Sequence, residues 1–137
     1  MLNKKATRWM VVENDKDTLE TIIYLLAAVT QAEIRPFRFA LDALDAFTVA
    51  PETYELVITN FEMAGMNGVD LRRHMQTLAP SLRVLLMTSG GMFNEETALR
   101  NGFCGLLQKP FSLNTFKQAI ETARSRPINR AALCAAV

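Results

Sequence analysis

The residues able to do chemistry in this chain are Glu13, Asn14, Asp15, Asn60, Glu62, Thr88, Ser89 and Lys109. Carboxylates, hydroxyls and one lysine are groups that hold a hard divalent cation and the oxygens of a phosphoryl group. The most informative stretch is Leu56-Val57-Ile58-Thr59-Asn60-Phe61-Glu62-Met63-Ala64-Gly65-Met66-Asn67-Gly68. An apolar run ends there in a polar tip, and a turn rich in Gly and Met leads into a helix. The pattern predicts a buried parallel strand that delivers one side chain to the edge of a sheet. That side chain is Asn60, a neutral amide that ligates weakly and is a very poor nucleophile. The arrangement suits phosphoryl chemistry on a carboxylate, and the carboxylate is missing.

Alternating strand and helix patterns position these residues. Trp9-Met10-Val11-Val12 is a short apolar run that stops at Glu13-Asn14-Asp15. Leu19, Ile22, Ile23 and Leu26 then recur with the spacing of an amphipathic helix. Glu33 to Phe39 alternates and contains Pro36, so it reads as an edge strand. Ala40, Ala43, Leu44 and Phe47 form a second helical stripe, and Leu56 to Thr59 the central strand. Leu71, Met75 and Leu78 mark a third helix, and Val84 to Met87 a fourth strand ending at Thr88-Ser89-Gly90-Gly91. A short helix is expected over Asn94 to Asn101, with Gly102 as its stop. Gly105 to Gln108 is a fifth strand, and Phe116, Ala119, Ile120 and Ala123 mark the last helix.

Five strands, each followed by a helix, predict an α/β fold: a doubly wound parallel sheet covered on both faces. No repeat or linker divides the chain, so residues 1–126 are expected to form one domain, with 127–137 as a C-terminal tail. In such sheets ligands bind beyond the carboxyl ends of the strands. The polar residues named above sit at those ends.

Composition narrows the partners. A net charge of +1 gives no electrostatic case for nucleic acid or an anionic membrane. With 137 residues, half of them hydrophobic, the chain can build a core without staples. Cys104 falls in a predicted strand region and Cys134 in the tail, which fits reduced thiols. Met1 to Lys5 lacks the apolar segment of a secretory signal, and no apolar run reaches membrane-spanning length. A cytoplasmic protein is the expectation.

The segments Val11-Val12-Glu13-Asn14-Asp15, Asn60 to Gly68, Leu86-Met87-Thr88-Ser89 and Leu107-Gln108-Lys109-Pro110-Phe111, in this order and spacing, resemble the receiver domain of bacterial response regulators. The resemblance runs from about Trp9 to Ala123. It implies a flavodoxin-like strand order of 2-1-3-4-5 and a phosphoacceptor aspartate at the position of Asn60. It also implies a Mg²⁺ site at the positions of Glu13 and Asn14, and phosphoryl contacts from Thr88 and Lys109. A cis peptide at Lys109-Pro110 is a further implication. Signalling would use the face made by the fourth helix, fifth strand and fifth helix, here about Phe93 to Asn101, Gly105 to Leu107 and Leu113 to Ala123. The partner would be a protein: a histidine kinase, a phosphotransfer protein or an output protein. A homodimer is left open.

The departures from the family pattern are as informative. An amide at Asn60 cannot form an acyl phosphate, and Asn14 replaces a carboxylate that ligates the metal. Glu13 and Glu62 are the only metal ligands left to expect, so Mg²⁺ binding should be weak, and no other cofactor is implied. Leu106 stands where the family usually has an aromatic that swings inward on activation. The expectation is a pseudo-receiver, not an enzyme, that acts through protein–protein contact. The alternative is an active phosphorelay receiver whose acceptor has been exchanged for Asn; Asn14 argues against it, since such a trap needs one change only. A flavodoxin-like FMN-binding protein is a distant alternative, because Glu13-Asn14-Asp15 would repel phosphate at the first strand end. An aspartyl phosphatase lacks its nucleophile.

Simpler roles weigh against some of these residues. Asp15 at a strand end can serve as a helix N-cap, and Thr88 can simply end a strand. Lys109 should pair with Glu13 or Glu62. His74 lies between Arg73 and Gln76 on a helix surface and is no phosphorelay histidine. Arg124, Arg126 and Arg130 read as solvated charges at a helix end.

Overall fold

The computed structural model describes residues 8–127. Five strands and five helices alternate: β1 (Arg8–Val12), α1 (Lys16–Ala27), β2 (Glu33–Phe37), α2 (Ala40–Val49), β3 (Tyr54–Asn60), α3 (Gly68–Leu78), β4 (Arg83–Thr88), α4 (Glu95–Arg100), β5 (Gly105–Gln108) and α5 (Leu113–Ser125), with one 3₁₀ turn at Pro51–Thr53. The strands form a single parallel sheet in the order β2-β1-β3-β4-β5. This is the flavodoxin-like arrangement expected of a receiver.

Strand pleating sends alternate side chains into two separate cores. Met10, Val12, Val57, Val84 and Leu86 face α2, α3 and α4, where they meet Phe47, Leu71, Met75 and Ala98. Trp9, Val11, Leu56, Ile58, Leu85 and Met87 face α1 and α5, against Ile22, Leu26, Phe116 and Ile120. The central strands are buried on both sides, which is why their sequences read as unbroken apolar runs. Each fully buried Leu, Ile or Phe among them contributes about 1.5–3 kcal/mol of burial free energy.

Helix starts are set locally. Asp15, Asn67, Asn94 and Ser112 cap α1, α3, α4 and α5 by accepting a hydrogen bond from the backbone three residues on. Gly68 must be glycine, because a Cβ there would lie 2.6 Å from the Asn60 carbonyl oxygen. Gly102 follows α4 at φ +90°, the left-handed stop read from the sequence.

Several boundaries and environments differ from expectation. β3 extends to Tyr54 and Asn60, and β2 ends at Phe37, so Arg38 and Phe39 belong to the turn into α2. Cys104 is buried just before β5 and lies outside it. On α3 the inward stripe includes Arg72 and Gln76, whereas Leu78 is 48% exposed. Arg124 is exposed, as expected, and pairs at the surface with Glu55, whereas Arg126 is partly buried, pairing with Glu95 and donating to the Cys104 carbonyl. Arg130, Cys134 and all but the first residue of the expected tail lie outside the described residues. Among the described residues, no helix is long and apolar enough to cross a membrane.

Candidate functional site

Parallel strands bring their carboxyl ends to one edge of the sheet, and the expected polar residues meet there. Glu13, Asn14, Asp15, Asn60, Glu62, Thr88, Ser89 and Lys109 line one cleft of about 230 Å³. The strand register explains the meeting: Val12 pairs with Thr59, Asn60 with Met87, and Thr88 with Gln108. Each polar residue is thus the last residue of its strand or lies just beyond it.

At the floor, Glu13 is 1% exposed, and both of its carboxylate oxygens are engaged. Oε1 accepts from Lys109 Nζ at 2.7 Å, and Oε2 accepts from the Asp15 backbone N–H at 2.9 Å. Lys109 therefore turns into the cleft and pairs with Glu13, not with Glu62. The Lys109–Pro110 peptide is cis.

Asn60 is 8% exposed and gives both amide hydrogens away. Nδ2 donates to Asn14 Oδ1 at 2.9 Å and to the Glu62 backbone carbonyl at 2.9 Å. A carbonyl only accepts, so the second bond fixes which end of the amide is nitrogen. Asn60 Oδ1 receives no hydrogen bond among the described residues.

Asp15 caps α1, its Oδ2 accepting from both the backbone and the hydroxyl of Thr18. The Thr18 hydroxyl first, and then the backbone N–H, hold its carboxyl below the usual range. Thr88 is buried at the end of β4; its hydroxyl accepts from Gly90 N–H, and its carbonyl accepts from Lys109 N–H. Glu62 is exposed, with no partner for its carboxylate among the described residues. Leu106 is the one candidate that the fold does not bring to the cleft. It is half-buried and lines a separate groove of about 190 Å³ between α4 and α5, with Glu95, Thr115, Ala119 and Thr122. His74 is exposed on α3, away from the cleft.

A family model for the response regulator receiver domain matches residues 10–121. The chain belongs to that family. Among curated relatives, it is 39% identical over 109 residues to the response regulator protein FleR of Pseudomonas aeruginosa, covering 77% of this chain and 22% of that one. It is 30% identical over 84 residues to sporulation initiation phosphotransferase F of Bacillus subtilis, covering 59% of this chain and 64% of the relative. The chain thus spans less than two thirds of the length of these relatives. A solved receiver domain protein from Clostridium thermocellum superposes with a TM-score of 0.78 at 25% identity, over 88% of this chain and 95% of that one. A second, a CheX-CheY-BeF3-Mg complex from Borrelia burgdorferi, gives 0.77 at 14% identity over 84% of this chain and 87% of that one, a likeness of fold alone. This receiver domain is a module of two-component signalling.

Two features of the receiver's site are visible only in three dimensions. The Asn14–Asn60 amide pair joins residues 46 apart in sequence, and nothing in either local pattern announces it. Beside the cleft, and sharing Ser89 and Lys109 with it, runs a largely apolar groove of about 510 Å³, completed by Thr18, Thr21, Pro110 and Phe111. The sequence marked Ser89 as a strand-end residue but gave no sign of that groove.

Proposed function

We propose that this receiver is a pseudo-receiver, which takes no phosphoryl group in the ordinary way and signals by binding proteins in a single conformation. The observation that carries the reading is Asn60: an amide with both hydrogens committed to neighbours, at the one position where the family's acceptor would stand. Phosphoryl transfer needs an in-line nucleophile and neutralisation of the charge that develops on the transferred group. An amide nitrogen in two hydrogen bonds, its lone pair delocalised, supplies no nucleophile.

The donors also fit Mg²⁺ poorly. Both oxygens of Glu13 are engaged, Asn14 is neutral, and the Glu62 carbonyl accepts from Asn60. Among the described residues, no group of three or more His, Cys, Asp or Glu side chains is placed to hold a metal. Mg²⁺ dehydrates reluctantly and relies on carboxylates, so weak affinity is part of the reading. Neither an enzymatic role nor a cofactor enters it.

For output, the reading uses the α4–β5–α5 face, to which Leu106 and the groove beside it belong. A leucine there has no ring to carry the state of Thr88 to that surface. The direct test is incubation with acetyl phosphate and Mg²⁺ followed by intact-mass measurement. The expected spectrum has no phosphoryl adduct; a gain of one phosphoryl group that hydroxylamine removes would overturn the reading.

A further inference from the structure

The cleft offers acceptors that its own donors do not fill. Asn60, more than nine-tenths buried, spends its hydrogens on Asn14 and Glu62 and leaves Oδ1 without a donor. The Glu62 carboxylate has no partner among the described residues, and Asp15 uses only Oδ2. Three carboxylates line the cleft against one ammonium, Lys109, which is already paired with Glu13, while the Arg38 guanidinium at its edge is spent on the Asn14 carbonyl. An anion would meet unpaired negative charge there. A cation with N–H groups would find both the charge and the acceptors it needs.

Geometry separates one kind of cation from another. A bare divalent ion needs several anionic oxygens converging on one point, and Glu13 is not free to join them. A guanidinium or ammonium spreads its donors and can satisfy Asn60 Oδ1 and Glu62 at different positions. The cleft of about 230 Å³ holds such a head group. It shares Ser89 and Lys109 with the apolar groove of about 510 Å³ over Pro110 and Phe111. A polar socket continuous with an apolar groove matches a peptide carrying a basic residue next to an apolar one.

We propose that the degenerate site is a socket for a lysine or arginine side chain of a partner protein, with a neighbouring apolar residue of that partner in the adjoining groove. The proposal rests on the pseudo-receiver reading, since an acceptor aspartate with bound Mg²⁺ would occupy the same space. It gives the residual pocket a binding role and places it on a different surface from the α4–β5–α5 face.

The test uses the ¹⁵N-labelled full chain at fixed ionic strength. It is titrated with acetyl-Leu-Arg-Leu-amide, with the same peptide carrying neutral citrulline for arginine, and with MgCl₂. The arginine peptide is expected to shift the side-chain amides of Asn60 and Asn14 and the backbone amides of Glu62 and Ser89, and to saturate. Loss of the charged hydrogen bond should make the citrulline peptide about tenfold weaker. Glu62→Gln, a change at an exposed position, should weaken the arginine peptide several-fold and leave the citrulline peptide unchanged. Equal affinity of the two peptides, shifts confined to another surface, no saturable shift, or tighter binding of Mg²⁺ than of the arginine peptide would overturn the proposal. A phosphoryl adduct in the mass experiment would defeat the pseudo-receiver reading itself; failure of the arginine peptide with no adduct present would defeat the socket alone.

Discussion

Asn60 Nδ2 donates to Asn14 Oδ1 at 2.9 Å, so two amides bridge the space in which the family places carboxylates and a metal. This contact makes the two departures from the family pattern one structural unit. Reversing one without the other leaves either an acceptor without the second metal carboxylate, at position 14, or that carboxylate with no acceptor.

Restoring chemistry should therefore need both positions. Asn60→Asp alone is expected to form adduct with acetyl phosphate and Mg²⁺ at least about tenfold more slowly than the double variant with Asn14→Asp, because transfer needs nucleophile and metal together. The rates are read from intact-mass time courses. Equal rates would show that Asn14 is not part of the defect.

The Lys109–Glu13 pair is a stability element in this chain. Lys109→Met leaves the Glu13 carboxylate, 1% exposed, without its cation. Breaking a buried pair in this way costs about 3 kcal/mol, read as a lower midpoint in urea unfolding. Adding Glu13→Gln should recover a large part of the loss, since the uncompensated charge is then gone. A single variant as stable as the parent would contradict the assignment.

How much of this was legible in the sequence depends on the range of the interactions involved. The parallel sheet and the gathering of Glu13, Asn60, Thr88 and Lys109 at its edge follow from apolar runs that each end in a polar tip, which are local patterns, whereas the strand order was implied by the family resemblance alone. The limits of β3 at Tyr54 and Asn60 were missed because polar end residues break the apolar run while backbone pairing continues. Arg72 and Gln76 look like solvent-side residues of α3. They are buried because Gly102, with no side chain, lets the loop after α4 close over the guanidinium, and Gln76 reaches the Leu82 carbonyl. The pairing of the exposed Arg124 with Glu55 and the partial burial of Arg126 against Glu95 and Cys104 were not legible because these partners are 69, 31 and 22 residues away.

Arg72 gives a third prediction. Its guanidinium lies over the Phe103 ring and donates to Gln76 Oε1, while Nε and Nη2 find no acceptor among the described residues. Burial lowers its pKa to about 10, the mark of a charge held at a cost. Arg72→Met should keep the volume, remove the charge and leave only one bond of Gln76 unmade. The expected outcome is unchanged or higher stability by up to about 1 kcal/mol. Destabilisation beyond about 2 kcal/mol would mean that the cation is needed.

Asp15 supplies a fourth. Hydrogen bonds from Thr18 favour its ionised form, so its folded pKa lies below the unfolded value of about 3.9. Its contribution is present above that unfolded value and is lost as pH falls through the folded one. Asp15→Asn keeps the cap but cannot titrate. The variant should show a flatter decline in thermal unfolding temperature on the acid side, with little change near neutrality. An unaltered acid limb would contradict the assignment.

With Asn60 and Leu106 in place, the pocket is not expected to drive the output face. Beryllofluoride with Mg²⁺ mimics a phosphorylated aspartate, and a two-state face responds only to a ligand with differential affinity for its two states. The measurement is a ¹H–¹⁵N correlation spectrum of the full chain with and without these additives, followed at Thr97, Leu106 and Lys117. Superimposable spectra across these residues are expected. Large, saturable shifts spreading from Thr88 to Leu106 and Lys117 would show that the pocket still switches the face, and would contradict that expectation.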